Sequence, residues 1–515
     1  MKRWLAVLLL LMATASPAVA ADRSTGPDVT EVRTYDRTPE TAGSVRFSAT
    51  YELAARVDGL CVRLPPDATA VEVTGFDTEY GNFCDYRWNG DTADPTVSFT
   101  VPVETTDNGA PGPFVETGDW ALARATVRGR VRTDGGNWTR FRESDFEREY
   151  RFAGGNGTGV GHIGLMGPTR TANWTGDREQ FRLVRPRAGS VAVERYRRVL
   201  SAASRDFRVG NRGNVTVVAL TEGIHAGSAS GDVMLVPAGE RWPFEYTRQS
   251  LLHEYVHTRQ SVYTEERMAW FIEGSASYYD LLLAHQQGEL SYKAFEEKAA
   301  GGKYPDAVLA DRSTWQHGGI PYERGPRVLA ALDARIRNVT NGTRTFADVV
   351  YLLNRRSGRV SYAEFERDVA TVAGRSLNAW LDRYFTTNET PPMPDGGDWV
   401  TRPQGPRDFD GDGLPAAEEK SRDLNPFRLD SDGDGLPDGG EPGTPTTTES
   451  TTTGSTTHSA ATATRDATAT ETAGATPSST TVSTTDESSG ASTPGFGVVP
   501  ALAALVFAAF RAGRP

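Results

Sequence analysis

Residues 250–258 read Ser-Leu-Leu-His-Glu-Tyr-Val-His-Thr, and this stretch decides how the centre of the chain folds. On a helix, residues four positions apart lie one turn apart on the same face, so His253 and His257 can reach one metal ion. Glu254 lies beside the first histidine, where its carboxylate can take a proton from a water on that metal. The stretch therefore predicts a helix with two histidine ligands, a pattern typical of zinc sites that cleave bonds with water.

A third ligand is needed, because catalytic zinc takes three protein ligands and keeps one position open. Residues 269–280 read Ala-Trp-Phe-Ile-Glu-Gly-Ser-Ala-Ser-Tyr-Tyr-Asp, which indicates a second helix with Glu273 near its start. A helix-loop-helix of these lengths can return Glu273 to the metal. A carboxylate in an apolar stretch also needs a partner, since burying it alone is costly. We expect Glu273 to be the third ligand, and a salt bridge at a helix start is the alternative.

These residues resemble a known family. The pattern His253-Glu-x-x-His257 followed by Trp270-Phe-Ile-Glu273-Gly is similar to that of the gluzincin zinc metallopeptidases, in particular the membrane alanine aminopeptidases and glycyl aminopeptidases. The resemblance covers about residues 215–390. It implies a thermolysin-like α+β catalytic domain over residues 154–395, with zinc on the two histidines and Glu273. It also implies that Glu254 is the general base of peptide hydrolysis.

A further segment, Pro321-Tyr322-Glu-Arg-Gly325, is similar to the Y-E-K-G segment of those aminopeptidases. The resemblance implies that the Tyr322 hydroxyl donates a hydrogen bond to the oxyanion of the tetrahedral intermediate. A structural tyrosine at a helix start is the alternative.

One departure from the family leaves the specificity open. The aminopeptidases carry a glutamate that grips the free amino end of the substrate, on a strand before the zinc helix. The corresponding residues 229–236 here read Ala-Ser-Gly-Asp-Val-Met-Leu-Val, and only Asp232 is acidic. Exopeptidase and endopeptidase action therefore both remain open. A second hypothesis is a structural or adhesive surface glycoprotein whose peptidase-like domain has lost activity.

The N-terminal segment predicts export. Met-Lys-Arg, an apolar run and the small residues Ala18-Val-Ala20 are typical of a secretory signal peptide over residues 1–20. In an oxidising compartment, the two cysteines of the chain, Cys61 and Cys84, are expected to form a structural disulfide. Residues 21–153 show short runs of alternating apolar and polar residues separated by turn residues, which predicts an antiparallel β-sandwich.

Two similar loops follow the catalytic domain, within residues 405–442. Each carries aspartates at loop positions 1, 3 and 5, glycine at position 6 and glutamate at position 12, which is the spacing of an EF-hand-like or thrombospondin-type-3-like calcium loop. We expect these loops to bind structural Ca²⁺, and an acidic linker is the alternative. The expected ligands are Asp408, Asp410, Asp412 and Glu419 in the first loop, and Asp430, Asp432, Asp434 and Glu441 in the second.

The C-terminal segments predict that the protein is attached to the cell surface. Residues 443–493 are rich in Ser and Thr and cannot bury a core, so we expect a disordered stalk. Residues 494–515 begin Pro-Gly-Phe-Gly, continue with a short apolar run and end with arginines, which resembles the PGF-CTERM sorting signal of archaeal surface proteins. The resemblance implies a lipid anchor on the outer face of the cell membrane, and association with a surface layer.

The net charge and the glycosylation sequons of the chain bear on its expected partners and location. The net charge of −12 disfavours nucleic acid as a partner. The resemblance to the zinc metallopeptidases, together with the predicted export, implies an extracellular peptide or protein substrate. Seven N-x-S/T sequons favour a surface glycoprotein, at Asn137, Asn156, Asn173, Asn214, Asn338, Asn341 and Asn388.

Overall fold

The computed structural model describes most of the chain between residues 28 and 441. The described ranges are 28–37, 44–78, 84–102, 114–124, 127–140, 146–177, 179–210, 213–224, 226–238, 250–395, 398–400, 408–410, 412–432 and 436–441. The predicted signal peptide, stalk and sorting segment, together with Asp434, lie outside these residues. Within them, no helix is both long and apolar enough to cross a membrane.

The N-terminal part is built from fourteen strands in three sheets. They are β1 Val29–Arg37, β2 Ser44–Leu53, β3 Val57–Arg63, β4 Thr69–Thr74, β5 Phe76–Thr78, β6 Tyr86–Trp88, β7 Thr96–Pro102, β8 Phe114–Glu116, β9 Ala121–Ala123, β10 Arg128–Thr133, β11 Thr139–Arg140, β12 Phe146–Phe152, β13 Gly157–Val160 and β14 Ile163–Met166. Their orders are β12-β1-β2-β7-β4, β11-β10-β3-β6-β5 and β13-β14-β9-β8.

The first two sheets enclose one hydrophobic core. Along β2, Val45, Phe47, Ala49 and Tyr51 are buried and alternate with more exposed residues, because successive side chains of a strand point to opposite faces. Phe47 packs in the same core as Leu60 of the facing sheet. A disulfide joins Cys61 to Cys84, whose Cα atoms are 5.8 Å apart.

One pairing in this part differs from the prediction. β1 pairs with β12 in parallel, whereas we expected antiparallel pairing throughout. Antiparallel neighbours can be joined by tight turns, but β1 and β12 are not consecutive in the chain. The strand before β12, β11, lies in the other sheet, and β12 then forms the edge of the first sheet beside β1. The local alternation predicts a strand here without revealing its partner.

The second part combines one sheet with a helical region. Its strands β15 Thr169–Thr175, β16 Gln180–Pro186, β17 Asn214–Leu220, β18 Ser228–Ser230 and β19 Val233–Pro237 have the order β15-β16-β17-β19-β18. A two-stranded pair is formed by β20 Tyr263–Thr264 and β21 Arg359–Val360. The helices are α1 Val193–Asp206, α2 Leu251–Thr258, α3 Phe271–Gln286, α4 Tyr292–Lys298, α5 Ile320–Val339, α6 Phe346–Asn354, α7 Tyr362–Ala373, α8 Asn378–Phe385 and α9 Ala416–Ser421.

The architecture confirms the coarse prediction of a β-rich N-terminal part followed by a part that contains both strands and helices. The largest core cluster joins the sheet of β15–β19 to the helices from α1 to α8. A smaller cluster lies between the sheet of β8, β9, β13 and β14 and the sheet of β15–β19, and it includes Leu122, Val218 and Leu235. The third N-terminal sheet is therefore packed directly on the sheet beneath α2.

Candidate active site

Helix α2 carries the histidine pair, and its start is fixed by Ser250. The Ser250 side chain caps the helix by accepting a hydrogen bond from the backbone N–H of His253, at 3.4 Å. Its hydroxyl donates to the carboxylate of Asp280 on α3. The cap therefore fixes both the first turn of α2 and its position against α3.

Three potential ligand atoms meet between α2 and α3. The Nε2 atoms of His253 and His257 are 3.0 Å apart, and each is 3.3 Å from Oε2 of Glu273. Ligands about 2.0–2.1 Å from a tetrahedral zinc ion stand about 3.3 Å from one another. The donor set and its spacing therefore fit zinc, and these three residues would hold it.

The electrostatics of the metal-free triad favour one ion pair. Burial lowers the pKa of His253 to about 4, so this ring is neutral. Burial also lowers the pKa of His257, but the charge of Glu273 and its hydrogen bond outweigh that effect and raise the pKa to about 9. Burial opposes ionisation of Glu273, yet the His257 charge holds the pKa of that carboxyl well below its usual range. A metal ion must therefore displace a proton from His257.

The outer nitrogens of both rings have partners on the protein. Nδ1 of His257 lies 2.8 Å from Oε1 of Gln260, and Nδ1 of His253 lies 3.5 Å from the hydroxyl of Ser277. Such contacts orient a ligating ring and select its tautomer. Sequence reasoning missed both partners. One sequence signal could have identified Gln260. It follows His257 by three residues, which is close to one helical turn.

Glu254 lies between the two histidines in sequence and is buried. Burial is the largest effect on its carboxyl and raises the pKa to about 8. The charges of Glu273 and Asp280 also raise this pKa, whereas those of His257 and Arg124 lower it. A base of this pKa can both accept and return a proton near neutral pH.

Tyr322 reaches the site from the first turn of α5. Its ring stacks on that of His253, with centroids 5.5 Å apart and an interplanar angle of 12°. The crossing of α3 and α5 makes this possible, because they touch at Gly274 and Gly325. A Cβ on Gly325 would lie only 2.6 Å from Cα of Gly274. The glycines that follow Glu273 and Tyr322 thus bring the two helix starts together.

The opposite end of α2 is fixed by a buried ion pair. Arg259 and Glu179 form a salt bridge with both side chains fully buried. Glu179 also accepts a hydrogen bond from the Tyr255 hydroxyl at 3.1 Å, and Arg259 donates to the carbonyl of Val209 at 2.7 Å. Because breaking a buried pair leaves an uncompensated charge, this network fixes α2 on its sheet.

Two acidic residues near the site in sequence, Asp232 and Asp280, lie elsewhere in the structure. Asp232 is in the turn between β18 and β19, where its backbone carbonyl accepts a hydrogen bond from Thr216. Asp280 contacts the cap of α2 rather than a histidine ring.

A second cluster of carboxylates forms around the first predicted calcium loop. Oxygens of Asp408, Asp410 and Asp412 come together, and Asp412 also groups with Glu419 and Asp438. Glu419 is fully buried, and neither of its carboxylate oxygens has a hydrogen-bond partner among the described residues. Sequence reasoning missed Asp438, which comes from the second repeat.

The second loop gives no such group within the described residues. Asp430, Asp432 and Glu441 are described, but Asp434 is not, and the structure groups Asp438 rather than Glu441 with the first loop. Asp438 is held in this place by Ser431, whose N–H donates to it at 2.8 Å.

Comparisons with known proteins find structures of similar fold at low sequence identity. No protein-family model matches this chain, and no curated protein matches it. Similar solved structures include an aminopeptidase N family protein from Idiomarina loihiensis, with 11% identity over 70% of this chain and 76% of the other, and a TM-score of 0.49. An M1 zinc metallopeptidase mutant from Deinococcus radiodurans, bound to the peptide Tyr-Ser-Ala, has 16% identity over 71% of this chain and 95% of the other, and a TM-score of 0.48. Legionella pneumophila aminopeptidase A in complex with aspartic acid has 12% identity over 71% of this chain and 50% of the other, and a TM-score of 0.42.

Proposed function

We propose that this protein is a zinc-dependent peptidase that hydrolyses peptide bonds with Glu254 as general base. The observation that carries the proposal is the convergence of His253, His257 and Glu273, whose ligand atoms stand 3.0–3.3 Å apart beside a buried glutamate. Two nitrogens and one carboxylate oxygen are a donor set that suits catalytic zinc.

Zinc held there would supply Lewis-acid catalysis and a water that ionises near neutral pH. The protein supplies the proton transfers. Glu254 accepts a proton from the attacking water and delivers it to the leaving amine. Burial, which raises the pKa of this carboxyl to about 8, suits it to both tasks.

Tyr322 stabilises the charge that develops on the scissile carbonyl. Its stacking on the His253 ring keeps the phenol beside the metal ligands. A phenol held in place before the reaction stabilises an oxyanion without the reorganisation that water needs.

The peptide binds along β18. Among the described strands, β18 is the edge of its sheet, and α2 packs against β18 and β19. An edge strand offers unpaired backbone N–H and C=O groups, with which an extended peptide can pair. Such pairing selects extended peptide backbone without selecting side chains.

The deciding experiment combines metal analysis with hydrolysis of peptides that have free or blocked amino ends. We expect the wild type to bind one zinc ion and to cleave peptides. Glu254→Gln should retain the zinc and lose on the order of 10²–10⁴-fold in kcat, the usual value of general-base catalysis. Glu266→Gln, which changes an exposed glutamate, is the matched control.

Stoichiometric zinc without cleavage of either peptide class would contradict the proposal and favour the inactive surface glycoprotein. Comparison of free with blocked amino ends then separates exopeptidase from endopeptidase action. Equal loss of activity in Glu266→Gln would show that the effect of Glu254→Gln is not specific.

We also propose that Ca²⁺ binds the cluster of Asp408, Asp410, Asp412, Glu419 and Asp438. Its support is the unpartnered, buried carboxylate of Glu419 among four aspartates. Oxygen ligands in this number suit Ca²⁺, and the cation would compensate their charge. The ion would thereby join the two repeats.

Export and anchoring complete the proposal and rest on the sequence. The segments at residues 1–20 and 494–515 support secretion and attachment to the outer face of the membrane, so that extracellular peptides are the substrates. Mass spectrometry of the mature protein tests this: both segments should be absent and a lipid present at the new C-terminus.

A further inference from the structure

Helix α6 lies between the carboxylate cluster around Glu419 and the helices that carry the zinc triad. Asp348, Tyr351 and Arg355 are spaced three and four positions apart, so they lie on one face at this helix. Each of them contacts one of the five residues that follow Glu419. The contacts are an ion pair of Asp348 with Lys420, a hydrogen bond from the Tyr351 hydroxyl to the carbonyl of Leu424, and an ion pair of Arg355 with Asp423 at 2.8 Å.

Two contacts with this region come from residues directly beside the cluster carboxylates. Lys420 follows Glu419 on α9, and its ion pair with Asp348 is largely buried. Phe409 lies in the first loop between two of the expected ligands. Its ring centroid is 5.0 Å from the guanidinium carbon of Arg344, which directly precedes the cap of α6. A rearrangement of the carboxylates therefore moves groups that touch α6 or its start.

The start of α6 is joined to helices α3 and α5 by one buried carboxylate. The backbone N–H of Phe346 donates to Asp333 of α5 at 2.7 Å, and the hydroxyl of Tyr278 donates to the same carboxylate at 2.6 Å. Tyr278 lies on α3, five residues after Glu273. Asp333 thus connects α6 with the helix that carries Glu273 and with the helix that carries Tyr322.

The end of α6 is joined to the end of α2. The amide nitrogen of Asn354 donates to the carbonyl of Arg259 at 2.8 Å, and its amide oxygen accepts from the N–H of Ser261 at 2.9 Å. These two residues flank Gln260, whose side chain contacts the His257 ring. Asn354 therefore holds the backbone of the residue that orients one of the zinc ligands.

A cation would change the cluster more than any other part of this region. Without a cation, its carboxylates repel one another, and Glu419 is buried with no hydrogen-bond partner among the described residues. A bound Ca²⁺ draws the same oxygens to one point. Because Lys420 and Phe409 adjoin these carboxylates, the cation would also hold both side chains in their contacts beside α6.

We propose that Ca²⁺ bound at this cluster holds α6 in place and thereby positions α2 and α3, so that Ca²⁺ and zinc strengthen each other's binding. This inference rests on the proposed zinc peptidase and on the proposed calcium site. The contacts at both ends of α6 form a continuous route between the two metal sites, and such a route is a coupling only if both sites bias it. By linkage, each metal must then raise the affinity of the other by the same factor.

The test measures metal affinities of the full-length protein. Competition with a chromophoric chelator that does not bind Ca²⁺ gives the zinc affinity, in Ca²⁺ or in Mg²⁺ at the same concentration. We expect Ca²⁺ to raise the zinc affinity by about 5–150-fold, the usual range of coupling between two sites. Mg²⁺ should have little effect, because it demands octahedral geometry and dehydrates reluctantly. Calorimetry of Ca²⁺ binding to zinc-free and zinc-loaded protein should give the same factor.

Two variants interrupt the route without removing a metal ligand. Lys420→Gln removes the ion pair on α6, and Asn354→Ala removes the contact with the end of α2, so each should reduce the factor by which Ca²⁺ raises the zinc affinity. Lys420→Arg should retain most of this factor, and Glu419→Gln should abolish it. Lys293→Gln, which removes the charge of an exposed lysine on α4, is the matched control and should show the wild-type factor.

Neither affinity requires peptide cleavage, so this inference and the peptidase function fail in different ways. Linked affinities without cleavage of any peptide would support the inference and contradict the peptidase function alone. Peptide cleavage together with equal zinc affinities in Ca²⁺ and Mg²⁺ would overturn the inference and leave the peptidase function intact. A Ca²⁺ effect that persists in full in both Lys420→Gln and Asn354→Ala would also overturn it, because α6 would then not carry the coupling.

Discussion

Nδ1 of His257 donates a hydrogen bond to Oε1 of Gln260 at 2.8 Å, and this contact fixes the tautomer of the histidine. The amide nitrogen of Gln260 donates to the carbonyl of Ile272 at 2.9 Å and to Ser275 at 2.8 Å, so its oxygen must face the ring. Nδ1 therefore carries the proton, and once the charge of His257 is lost, Nε2 has a free lone pair directed at Glu273. The same amide also connects the end of α2 to the start of α3.

Removal of this amide should weaken zinc binding. For Gln260→Ala we expect a loss of about 10–100-fold in zinc affinity, which is the usual effect of removing a partner that orients a metal ligand. Competition with a chromophoric chelator measures the affinity. Gln287→Ala at the other end of α3, where the side chain donates to the carbonyl of Val199, is the control and should bind zinc as the wild type does. Unchanged affinity in Gln260→Ala would show that the amide does not hold the ring.

The Tyr322 hydroxyl should matter for the rate and not for the metal. Because only the transition state carries the oxyanion, Tyr322→Phe should lower kcat by on the order of 10²–10³-fold and leave KM and the zinc content close to those of the wild type. Steady-state kinetics and metal analysis measure the three quantities. Tyr263→Phe, at a residue that is 74% exposed, is the control. Full activity in Tyr322→Phe would make Tyr322 a structural residue at a helix start.

Site residues that are close together in the sequence can be predicted from it, whereas residues that distant segments contribute to the site cannot. The spacing of His253 and His257 and the helix signal around Glu273 predict residues that the structure brings within 3.3 Å of one another. A helical period carries this information within a few turns. Arg124, whose charge lowers the pKa of Glu254, directly follows β9 of another sheet, and no local pattern marks it, because its place depends on how the two parts pack. The parallel partner of β1 was missed for the same reason.

Zinc binding should release a proton from His257. The pKa of this ring, raised to about 9, leaves it charged at pH 7, and only the neutral ring can bind a metal. Calorimetry in two buffers of different ionisation enthalpy should therefore report about one proton released per zinc ion at pH 7. The affinity should rise with pH up to about pH 9, where half of the rings are neutral, and level off above it. The absence of any buffer dependence at pH 7 would contradict the ion pair between His257 and Glu273.

The carboxylate cluster around Glu419 shows a different limit of sequence reasoning. Loop spacing predicts Glu441 as the last ligand of the second loop, but the structure turns the second repeat back so that Asp438 meets Asp412 and Glu419. The backbone N–H of Asp438 donates to Leu429 at 3.0 Å, and the N–H of Gly439 donates to the carboxylate of Asp412 at 2.8 Å. The first contact closes the second repeat on itself, and the second contact, which joins the two repeats, is invisible in the pattern of either repeat.

Glu419 should make the calcium-free protein sensitive to pH. Burial and the neighbouring aspartates raise the pKa of this carboxyl from 4.5 to about 8. A group whose pKa is higher in the folded state binds its proton more tightly there, so its contribution to stability is present below the unfolded pKa and is lost as the pH rises to about 8. We therefore expect the melting temperature of protein loaded with zinc alone to fall between pH 5 and 9. Added Ca²⁺ should abolish this fall, because it stabilises the ionised carboxylate.

The variant Glu419→Gln separates the two effects, since its side chain has the same shape and no charge. Without Ca²⁺ it should melt at a higher temperature than the wild type at pH 9 and at about the same temperature at pH 5, and added Ca²⁺ should raise its melting temperature much less. Glu418→Gln, whose carboxylate pairs with Arg422 at 2.5 Å, is the neighbouring control and should respond to Ca²⁺ as the wild type does. Scanning calorimetry at the two pH values, with and without Ca²⁺, measures all four cases. An equal response to Ca²⁺ in Glu419→Gln and the wild type would contradict a role for Glu419 as a ligand, because the amide offers the cation one neutral oxygen in place of a carboxylate.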